Sequence, residues 1–140
     1  MQRIIWLDDI RCPYTYHWNC LIQKCVGMFS GICSIIWVRS YDEFVCELNH
    51  VDDTPAYIFF DHDLGPGKTG MDCMKYLIDY MQDKNVNPNN INVFFQSQNP
   101  VGKENMQSLF DCYKRFYNNG HLQCLGDYYE FKLWHYTALK

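Results

Sequence analysis

Carboxylates and an imidazole stand directly after two apolar segments of the chain: Asp8 and Asp9 after residues 4–7, and Asp61, His62 and Asp63 after residues 57–60. Carboxylates a few ångströms apart repel each other, so such a cluster must take up protons or a cation. Oxygen ligands without thiolates favour Mg²⁺ or Mn²⁺ over zinc or copper. We therefore predict that Asp8, Asp9 and Asp61 hold a metal ion. The alternative is that each acidic pair only caps a helix or faces solvent.

The second acidic pair carries His62 between its two carboxylates. An imidazole can take up or release a proton near neutral pH, which suits general acid–base catalysis. We predict Asp61, His62 and Asp63 as the reacting residues of a catalytic site. Strand alternation leaves a second possibility open, in which the His62 ring turns away from the carboxylates and packs against the protein.

Four further polar side chains are candidates for holding the phosphate group of a substrate: Arg11, Lys68, Ser97 and Asn99. Lys68 lies in the segment 65–70, Gly-Pro-Gly-Lys-Thr-Gly, before a predicted helix whose first amides suit an anion. A nucleotide-binding P-loop requires glycine at the position of His62, so the sequence disfavours that class of ATP site. Asn99 precedes Pro100, which is also the pattern of a helix cap, and both roles stay open.

Apolar periodicity predicts strands and helices that alternate along the chain. The predicted strands are 3–7, 34–38, 57–60 and 91–95, with a possible fifth, edge strand at 128–134. The predicted helices are 14–29, 40–49, 70–83 and 100–118, and residues 83–90 are a predicted loop. Serine 40 and Glu43 have the spacing of a capping box at the start of the second helix.

This alternation predicts an α/β protein, a three-layer α/β/α sandwich around a mostly parallel sheet of four or five strands. We expect one domain over residues 1–140. In such folds ligands bind outside the carboxyl ends of the strands. The class of fold therefore brings Asp8, Asp61 and Ser97 to one edge of the sheet.

The composition is that of a globular protein and argues against several functions. Hydrophobic residues make up 48% of the chain, and the formal net charge of −4 disfavours binding to duplex nucleic acid. No apolar run approaches the ~20 residues of a membrane span. The eight cysteines include no C-x-x-C pair, and no signal peptide is recognisable. We expect reduced, mostly buried thiols in a cytoplasmic protein.

Three blocks of sequence, taken together, resemble a known family: Trp6-Leu-Asp-Asp-Ile-Arg11; Phe60-Asp-His-Asp-Leu-Gly65 followed by Thr69-Gly70; and Ser97-x-Asn-Pro-Val-Gly102 followed by Asn105-Met106. Their order and spacing are similar to those of the cyclic-phosphate-processing receiver-like domains. The resemblance implies a receiver-like (flavodoxin-type) sheet and an activity on cyclic phosphates of nucleotide-like molecules.

The same resemblance implies roles drawn from signalling receivers. Asp8 and Asp9 match their metal-binding acids, Asp61 their phosphorylated aspartate and Ser97 their switch hydroxyl. The chain departs from signalling receivers in having His62 and Asp63 directly after the acceptor position. It also lacks a clear lysine at the end of a fifth strand, for which Lys132 is a candidate in a different context.

Two functions of different classes follow from these residues. The first is a metal-dependent phosphoesterase acting on a cyclic phosphate or cyclic-nucleotide phosphodiester. The second is a non-catalytic receiver-like module that sequesters a nucleotide signal or is phosphorylated on Asp61. Sequestration would require an aromatic pocket, for which the candidates are Trp6, Tyr14, Tyr16 and Trp18.

Overall fold

Four parallel strands form the centre of the protein, whose computed structural model describes residues 2–27, 33–50 and 53–119. The strands are β1 (Gln2–Leu7), β2 (Cys33–Val38), β3 (Tyr57–Phe60) and β4 (Asn92–Phe95). Their order in the sheet is β2-β1-β3-β4, and every neighbouring pair is parallel. The predicted α/β class with a parallel, receiver-like sheet is therefore confirmed.

Four α-helices follow the strands in turn: α1 (Tyr16–Val26), α2 (Tyr41–His50), α3 (Gly70–Lys84) and α4 (Pro100–Asn118). Helix α1 packs on one face of the sheet, where Ile22 and Val26 meet Trp6 and Phe59. The other three helices pack on the opposite face, against a core that includes Leu7, Phe44, Leu77 and Leu109. No helix in the described part of the chain is long and apolar enough to span a membrane.

The strands form where the sequence concentrates β-branched and aromatic residues. Ile4, Ile5, Trp6 and Leu7 are all at most 1% exposed because β1 has a neighbouring strand on each side and helices over both faces. Crossing from β2 to β3 takes the chain from one side of β1 to the other. The two acid-bearing strands β1 and β3 are thereby adjacent, at the point where the strand order reverses.

Several predicted boundaries differ from the structure, each for a local reason. Helix α1 is shorter than the predicted 14–29 because Thr15 is extended and Gly27 takes a positive φ of 91°. The predicted loop 83–90 is wrong in part, since α3 continues to Lys84 and residues 88–90 form a 3-10 turn. The predicted fifth strand at 128–134 lies outside the described residues.

The capping pattern at residue 40 forms only in part. Glu43 N donates to Ser40 Oγ at 3.2 Å, but the Glu43 carboxylate accepts from Arg39 N rather than from Ser40 N. A capping box forms instead at α3, where the side chain of Asp72 accepts from Thr69 N at 2.8 Å. Aspartate in place of glutamate hid this cap from the sequence pattern.

The expectation that the thiols are mostly buried is wrong. Of the six cysteines whose side chains the structure describes, all free, Cys73 is buried, Cys20 and Cys46 are exposed, and the others are half-buried. Helical phase explains the two exposed thiols: Cys20 and Cys46 each lie two residues from a buried position, on the opposite side of the helix.

Candidate metal and phosphate site

The carboxyl ends of β1 and β3 place two aspartates side by side. Leu7 pairs with Phe60 in the ladder, and the ladder continues one residue further because Asp61 N donates to Leu7 O at 3.0 Å. Asp8 N likewise donates to Val38 O on β2 at 3.1 Å. Asp8 and Asp61 are therefore at the same level of adjacent strands, and both are buried.

An acidic cluster of three residues, Asp8, Asp9 and Asp61, forms at this edge. Each offers a carboxylate oxygen, and these oxygens lie within 4.8 Å of one another. The set supplies hard, anionic oxygens close enough to share one ion, which is the donor chemistry of Mg²⁺ and Mn²⁺. The acidic cluster can therefore hold a divalent cation, and the identity of that cation stays a prediction.

The backbone around Asp8 is fixed by hydrogen bonds. Asp8 Oδ1 accepts from the backbone amides of Ile10 and Arg11, at 3.0 and 2.8 Å. Two indoles hold the same loop, since Trp6 Nε1 donates to Arg11 O and Trp37 Nε1 donates to Asp8 O, at 2.9 and 2.7 Å. One oxygen of Asp8 is thus occupied by the loop, while Oδ2 accepts from the side chain of Arg11.

Arg11 supplies a positive charge inside the acidic cluster. Its Nη1 lies 3.2 Å from Asp8 Oδ2 and 3.8 Å from Asp61 Oδ1, and it also donates to Gln96 O at 3.0 Å. The guanidinium carbon lies 5.3 Å from the centre of the Trp18 ring. The residue predicted to bind phosphate is here an internal counter-charge to Asp8 and Asp61. A second guanidinium, that of Arg39, donates to the backbone oxygen of Asp9 from Nε and Nη2, at 3.1 and 2.8 Å.

The pKa of Asp61 is raised to about 6. Burial is the main cause, and the nearby negative charge of Asp8 adds to it. Arg11 and the hydrogen bond from His62 N act in the opposite direction without offsetting them. The folded protein without a bound cation therefore disfavours the ionised form of Asp61.

A second cluster, His62, Asp63 and Asn99, lies beside the first. His62 Nδ1 is 2.9 Å from Asp63 Oδ1, so the ring contacts this carboxylate while it also packs against Gly102 of α4. The hydrogen bond with His62 lowers the pKa of Asp63, which is 68% exposed. Asn99 Nδ2 approaches both carboxylate oxygens of Asp63, at 3.4 and 3.3 Å.

Gly102 leaves room for the His62 ring. A Cβ at Gly102 would lie 2.4 Å from His62 Cγ, closer than any real contact. The first turn of α4 thus packs directly on the imidazole and limits where it can point. Gly70 has the same function beneath Asp61, because a Cβ there would lie 1.9 Å from Asp61 O.

The two candidates beyond β4 are engaged in capping α4. Asn99 Oδ1 accepts from Gly102 N at 2.9 Å, and Ser97 Oγ accepts from Asn99 N at 3.1 Å. The cap uses the Asn99 oxygen, whereas its amide nitrogen faces His62 and Asp63. The predicted cap is therefore confirmed, and contact of Asn99 with a phosphate stays a prediction.

Lys68 is the predicted site residue that the structure directs elsewhere. Its Nζ lies 4.2 Å from the centre of the Tyr41 ring, on α2. The amides at the start of α3 are also engaged, since Asp72 accepts from Thr69 N and His62 O accepts from Gly70 N. An anion at this helix end would have to compete with those contacts.

Among the aromatic candidates, the two tryptophans and the two tyrosines differ in exposure. Trp6 is fully buried and cannot contact a ligand, and Trp18 is half-buried against it. Tyr14 and Tyr16 are 59% and 87% exposed. Only the tyrosines and the edge of Trp18 are available to a bound ring.

Gln96 is a residue of this edge that the sequence prediction missed. It follows β4 directly, its amide Nε2 donates to Leu7 O at 2.9 Å, and its backbone oxygen accepts from Arg11. The available signal was its position, one residue beyond Phe95 and level with Asp61.

Comparison with protein families matches residues 3–111 to the Cyclic-phosphate processing Receiver domain. Comparisons with curated proteins and with solved structures give no match. The matched span contains both clusters of the candidate site, and it covers well over half of the 140 residues. The chain therefore belongs to the family of cyclic-phosphate processing receiver domains.

Proposed function

We propose that the protein is a metal-dependent phosphoesterase that hydrolyses a cyclic phosphate of a nucleotide-like molecule. The observation that supports this proposal is the adjacency of two clusters with different chemistry. Three carboxylates within 4.8 Å of one another suit a cation, and the imidazole of the next residue, His62, is hydrogen-bonded to a carboxylate. Phosphate-ester hydrolysis requires both charge neutralisation and proton transfer.

Asp8, Asp9 and Asp61 would hold the cation, Mg²⁺ or Mn²⁺. Such an ion withdraws charge from a phosphate oxygen and lowers the pKa of bound water. The low exposure of Asp8 and Asp61 keeps bulk water from screening this part of the site. Arg11, whose guanidinium contacts Asp8 and Asp61, would contact a phosphate oxygen as a second positive charge.

His62 would transfer the protons of the reaction. In hydrolysis the oxygen of water bonds to phosphorus, one ester P–O bond breaks, and the leaving alcohol oxygen takes up a proton. With Nδ1 directed at Asp63, the other ring nitrogen, Nε2, is the one that can exchange protons with substrate or water. Asp63 and Asn99 would orient the ring, and Gly102 would hold it in place.

Ser97 and Lys68 would complete the contacts to phosphate. The Ser97 oxygen accepts from Asn99 N, so its own hydroxyl hydrogen can point towards a phosphate oxygen. Lys68 would contribute only by leaving the ring of Tyr41, which a long, exposed side chain can do. Lys68 should therefore matter less than Arg11.

Product formation from a panel of cyclic nucleotides, with five-membered and six-membered phosphate rings, tests this function. We expect a linear phosphomonoester with Mg²⁺ or Mn²⁺, no product with EDTA, and at least a hundredfold loss in Asp61→Asn. Asp83→Asn, at an exposed position of α3, should behave as wild type. Tight binding without product, with unchanged affinity in Asp61→Asn, would reject the enzyme and favour a sequestering module.

The same protein can be tested as a phosphorylated receiver. Acetyl phosphate should label Asp61 if that aspartate is a phospho-acceptor, and the label should disappear in Asp61→Asn. Labelling without turnover of any cyclic phosphate would replace the hydrolase by a signalling module. We expect no stable label, because hydrolysis of a cyclic phosphate does not require an aspartyl phosphate.

We also propose that the protein is cytoplasmic and does not bind membranes or duplex nucleic acid. Six described cysteines are free thiols, two of them exposed, which suits a reducing compartment. The net charge of −4 supports a small ligand in preference to a polyanion. Detection in the soluble fraction of lysed cells, with thiols reduced, is the corresponding measurement.

A further inference from the structure

Gln96 lies in the same row of the sheet as Asp8 and Asp61. Leu7 pairs with Phe60, and Phe60 pairs with Phe95. The ladder continues by one residue on both strands, since Asp61 N donates to Leu7 O and Gln96 N donates to Phe60 O, at 3.0 and 3.1 Å. The first residues beyond β1, β3 and β4 are therefore neighbours across the edge of the sheet.

Strand alternation also puts these three side chains on one face. Two residues earlier, the rings of Trp6, Phe59 and Phe94 contact each other on the face that α1 covers, with ring centres 5.3 and 4.9 Å apart. Side chains two positions apart in a strand point the same way. The amide of Gln96 accordingly extends over Asp61 and reaches Leu7 O on β1, at 2.9 Å.

The oxygen of this amide has no donor. Gln96 is 9% exposed, and its Oε1 is buried without a hydrogen-bond partner among the residues that the structure describes. The hydrogen bond from Nε2 to Leu7 O fixes which end of the amide is oxygen. Buried acceptors in folded proteins are almost always satisfied, so an orphaned one indicates a missing partner.

The chemistry of that partner is restricted. An amide oxygen only accepts, so it attracts a cation or a hydrogen-bond donor and repels a phosphate oxygen. The ionisable residues of the row are Asp8 and Asp61, and Arg11 Nη1 is already engaged with the backbone oxygen of Gln96, at 3.0 Å. When ionised, the three aspartates and Arg11 carry two net negative charges, and Arg39, which donates to the backbone oxygen of Asp9, adds a positive charge nearby. A neutral oxygen can then add a ligand without adding charge.

We propose that Gln96 Oε1 is a fourth oxygen of the cation site, bound to the ion or to water coordinated by it. The inference rests on the cation site of the proposed function, which names only the three aspartates. It explains why a glutamine is buried at the end of β4, and why its amide reaches across Asp61. Residues that orient or supplement metal ligands typically change metal affinity ten- to a hundredfold when they are replaced.

Titration of Mn²⁺ followed by electron paramagnetic resonance tests this directly, without substrate. Gln96→Met keeps the length of the side chain and removes the oxygen, so we expect about ten- to a hundredfold weaker Mn²⁺ binding. Gln98→Met makes the same change at an exposed position two residues on and should leave the affinity unchanged. Unfolding in EDTA checks that both variants fold.

Gln96→Glu distinguishes the role of the side-chain oxygen from that of the amide nitrogen. Glutamate keeps an oxygen donor but cannot donate to Leu7 O, so we expect Mn²⁺ affinity at least equal to that of wild type. A purely structural role of the Leu7 contact predicts weaker binding in both variants. Folded Gln96→Met with affinity within twofold of wild type would overturn the proposal, as would tenfold weaker binding in Gln96→Glu. If Gln96→Met does not fold, Gln96→Glu decides alone.

The outcomes also distinguish this inference from the proposed function. Weakened Mn²⁺ binding in Gln96→Met, with no product from any cyclic phosphate in wild type, would reject the phosphoesterase and keep the role of Gln96. Turnover by wild type, with unaltered Mn²⁺ binding in Gln96→Met, would keep the phosphoesterase and reject the role of Gln96. Wild type that binds no Mn²⁺ would overturn both.

Discussion

Strand β1 has a charged cluster at each end, and the two clusters differ in charge balance. At its start, Arg3 Nη1 donates to the carboxylate and the backbone oxygen of Glu47, at 3.0 and 2.9 Å, and Nη2 donates to Asp53 O. At its end, the carboxylates of Asp8, Asp9 and Asp61 lie together, with Arg11 against Asp8 and Asp61 and Arg39 donating to the backbone oxygen of Asp9. The first cluster pairs one charge with one charge, whereas the second carries an excess of negative charge.

This difference identifies which end of the sheet needs a ligand. At the start of β1 the charge of Arg3 is paired with that of Glu47, although Arg3 Nε is buried without a hydrogen-bond partner among the described residues. The acidic cluster carries more negative than positive charge, burial raises the pKa of Asp61 within it, and the buried Oε1 of Gln96 accepts no hydrogen bond from the described residues. Such local conflicts are typical of functional sites, where binding of a ligand relieves them.

We expect the largest effect on stability at the start of β1, where Arg3 is paired with Glu47. Arg3→Met removes three hydrogen bonds and leaves the Glu47 carboxylate, 18% exposed, without its partner. We expect a loss of about 2 to 3 kcal/mol in the free energy of unfolding, measured with urea. The loss should be equal in EDTA and in Mn²⁺. A change in Mn²⁺ affinity would show that the two ends of β1 are coupled.

Asp61→Asn should increase the free energy of unfolding at neutral pH, whereas Arg3→Met should decrease it. Asp61 has a pKa of about 6 when folded and an ordinary value near 3.8 when unfolded. The folded state therefore binds the proton more tightly, and this group costs stability above about pH 6, a cost that disappears as the pH falls towards 4. Without metal, we expect Asp61→Asn to gain about 1 to 2 kcal/mol at pH 7 and nothing at pH 4.

Unfolding with urea at four pH values in EDTA measures the difference in stability between Asp61→Asn and wild type, with Asp83→Asn as the exposed control. Addition of Mn²⁺ should reverse the order, because wild type gains stability from the bound ion and Asp61→Asn gains little. Lower stability of Asp61→Asn at pH 7 without metal would mean that Arg11 already neutralises the cluster.

Arg11→Met makes the same substitution after the end of β1 that Arg3→Met makes near its start. Arg11→Met removes a positive charge that a metal ion would otherwise meet, so we expect about fivefold tighter Mn²⁺ binding, or roughly 1 kcal/mol. Product formation should fall, because Arg11 would no longer contact phosphate. Fluorescence of Trp18, beneath the guanidinium, offers a second signal of binding. Weaker Mn²⁺ binding would show that Arg11 organises the acids instead of competing with the ion.

Much of the fold was predictable because it depends on local patterns. Apolar segments such as 57–60 have few alternatives to a buried strand, and their alternation with amphipathic helices leaves a parallel sheet as the simplest architecture. Parallel strands then bring their carboxyl ends together, so the proximity of Asp8 and Asp61 followed from topology alone. Helix ends were less predictable, since one residue such as Gly27 decides them.

The partners of the site residues could not be predicted, because they depend on contacts between distant segments. Arg11 is held by Gln96 O, 85 positions away, and Lys68 lies on a ring of α2. The role of Gln96 requires the register of three strands at once, which no single segment of sequence contains. Residue type indicated the chemistry of the site, and only the packed structure shows which groups are already engaged.

The smallest effect on stability is expected at the second cluster, where the charges are exposed and satisfied. Asp63→Asn keeps an oxygen that accepts from His62 but removes its charge, and Asp63→Ala removes both. At 68% exposure, either change should alter the free energy of unfolding by less than about 0.5 kcal/mol.

Product formation should nevertheless fall about tenfold in Asp63→Ala and less in Asp63→Asn, because the His62 ring loses its orientation. Nuclear magnetic resonance of the imidazole nitrogens gives an independent measure: Nδ1 should lose its proton preference in Asp63→Ala. Unchanged imidazole signals would show that Gly102 and the packing of α4 orient His62 without help from Asp63, and that the exposed cluster, unlike the acidic one, is held by shape and not by charge.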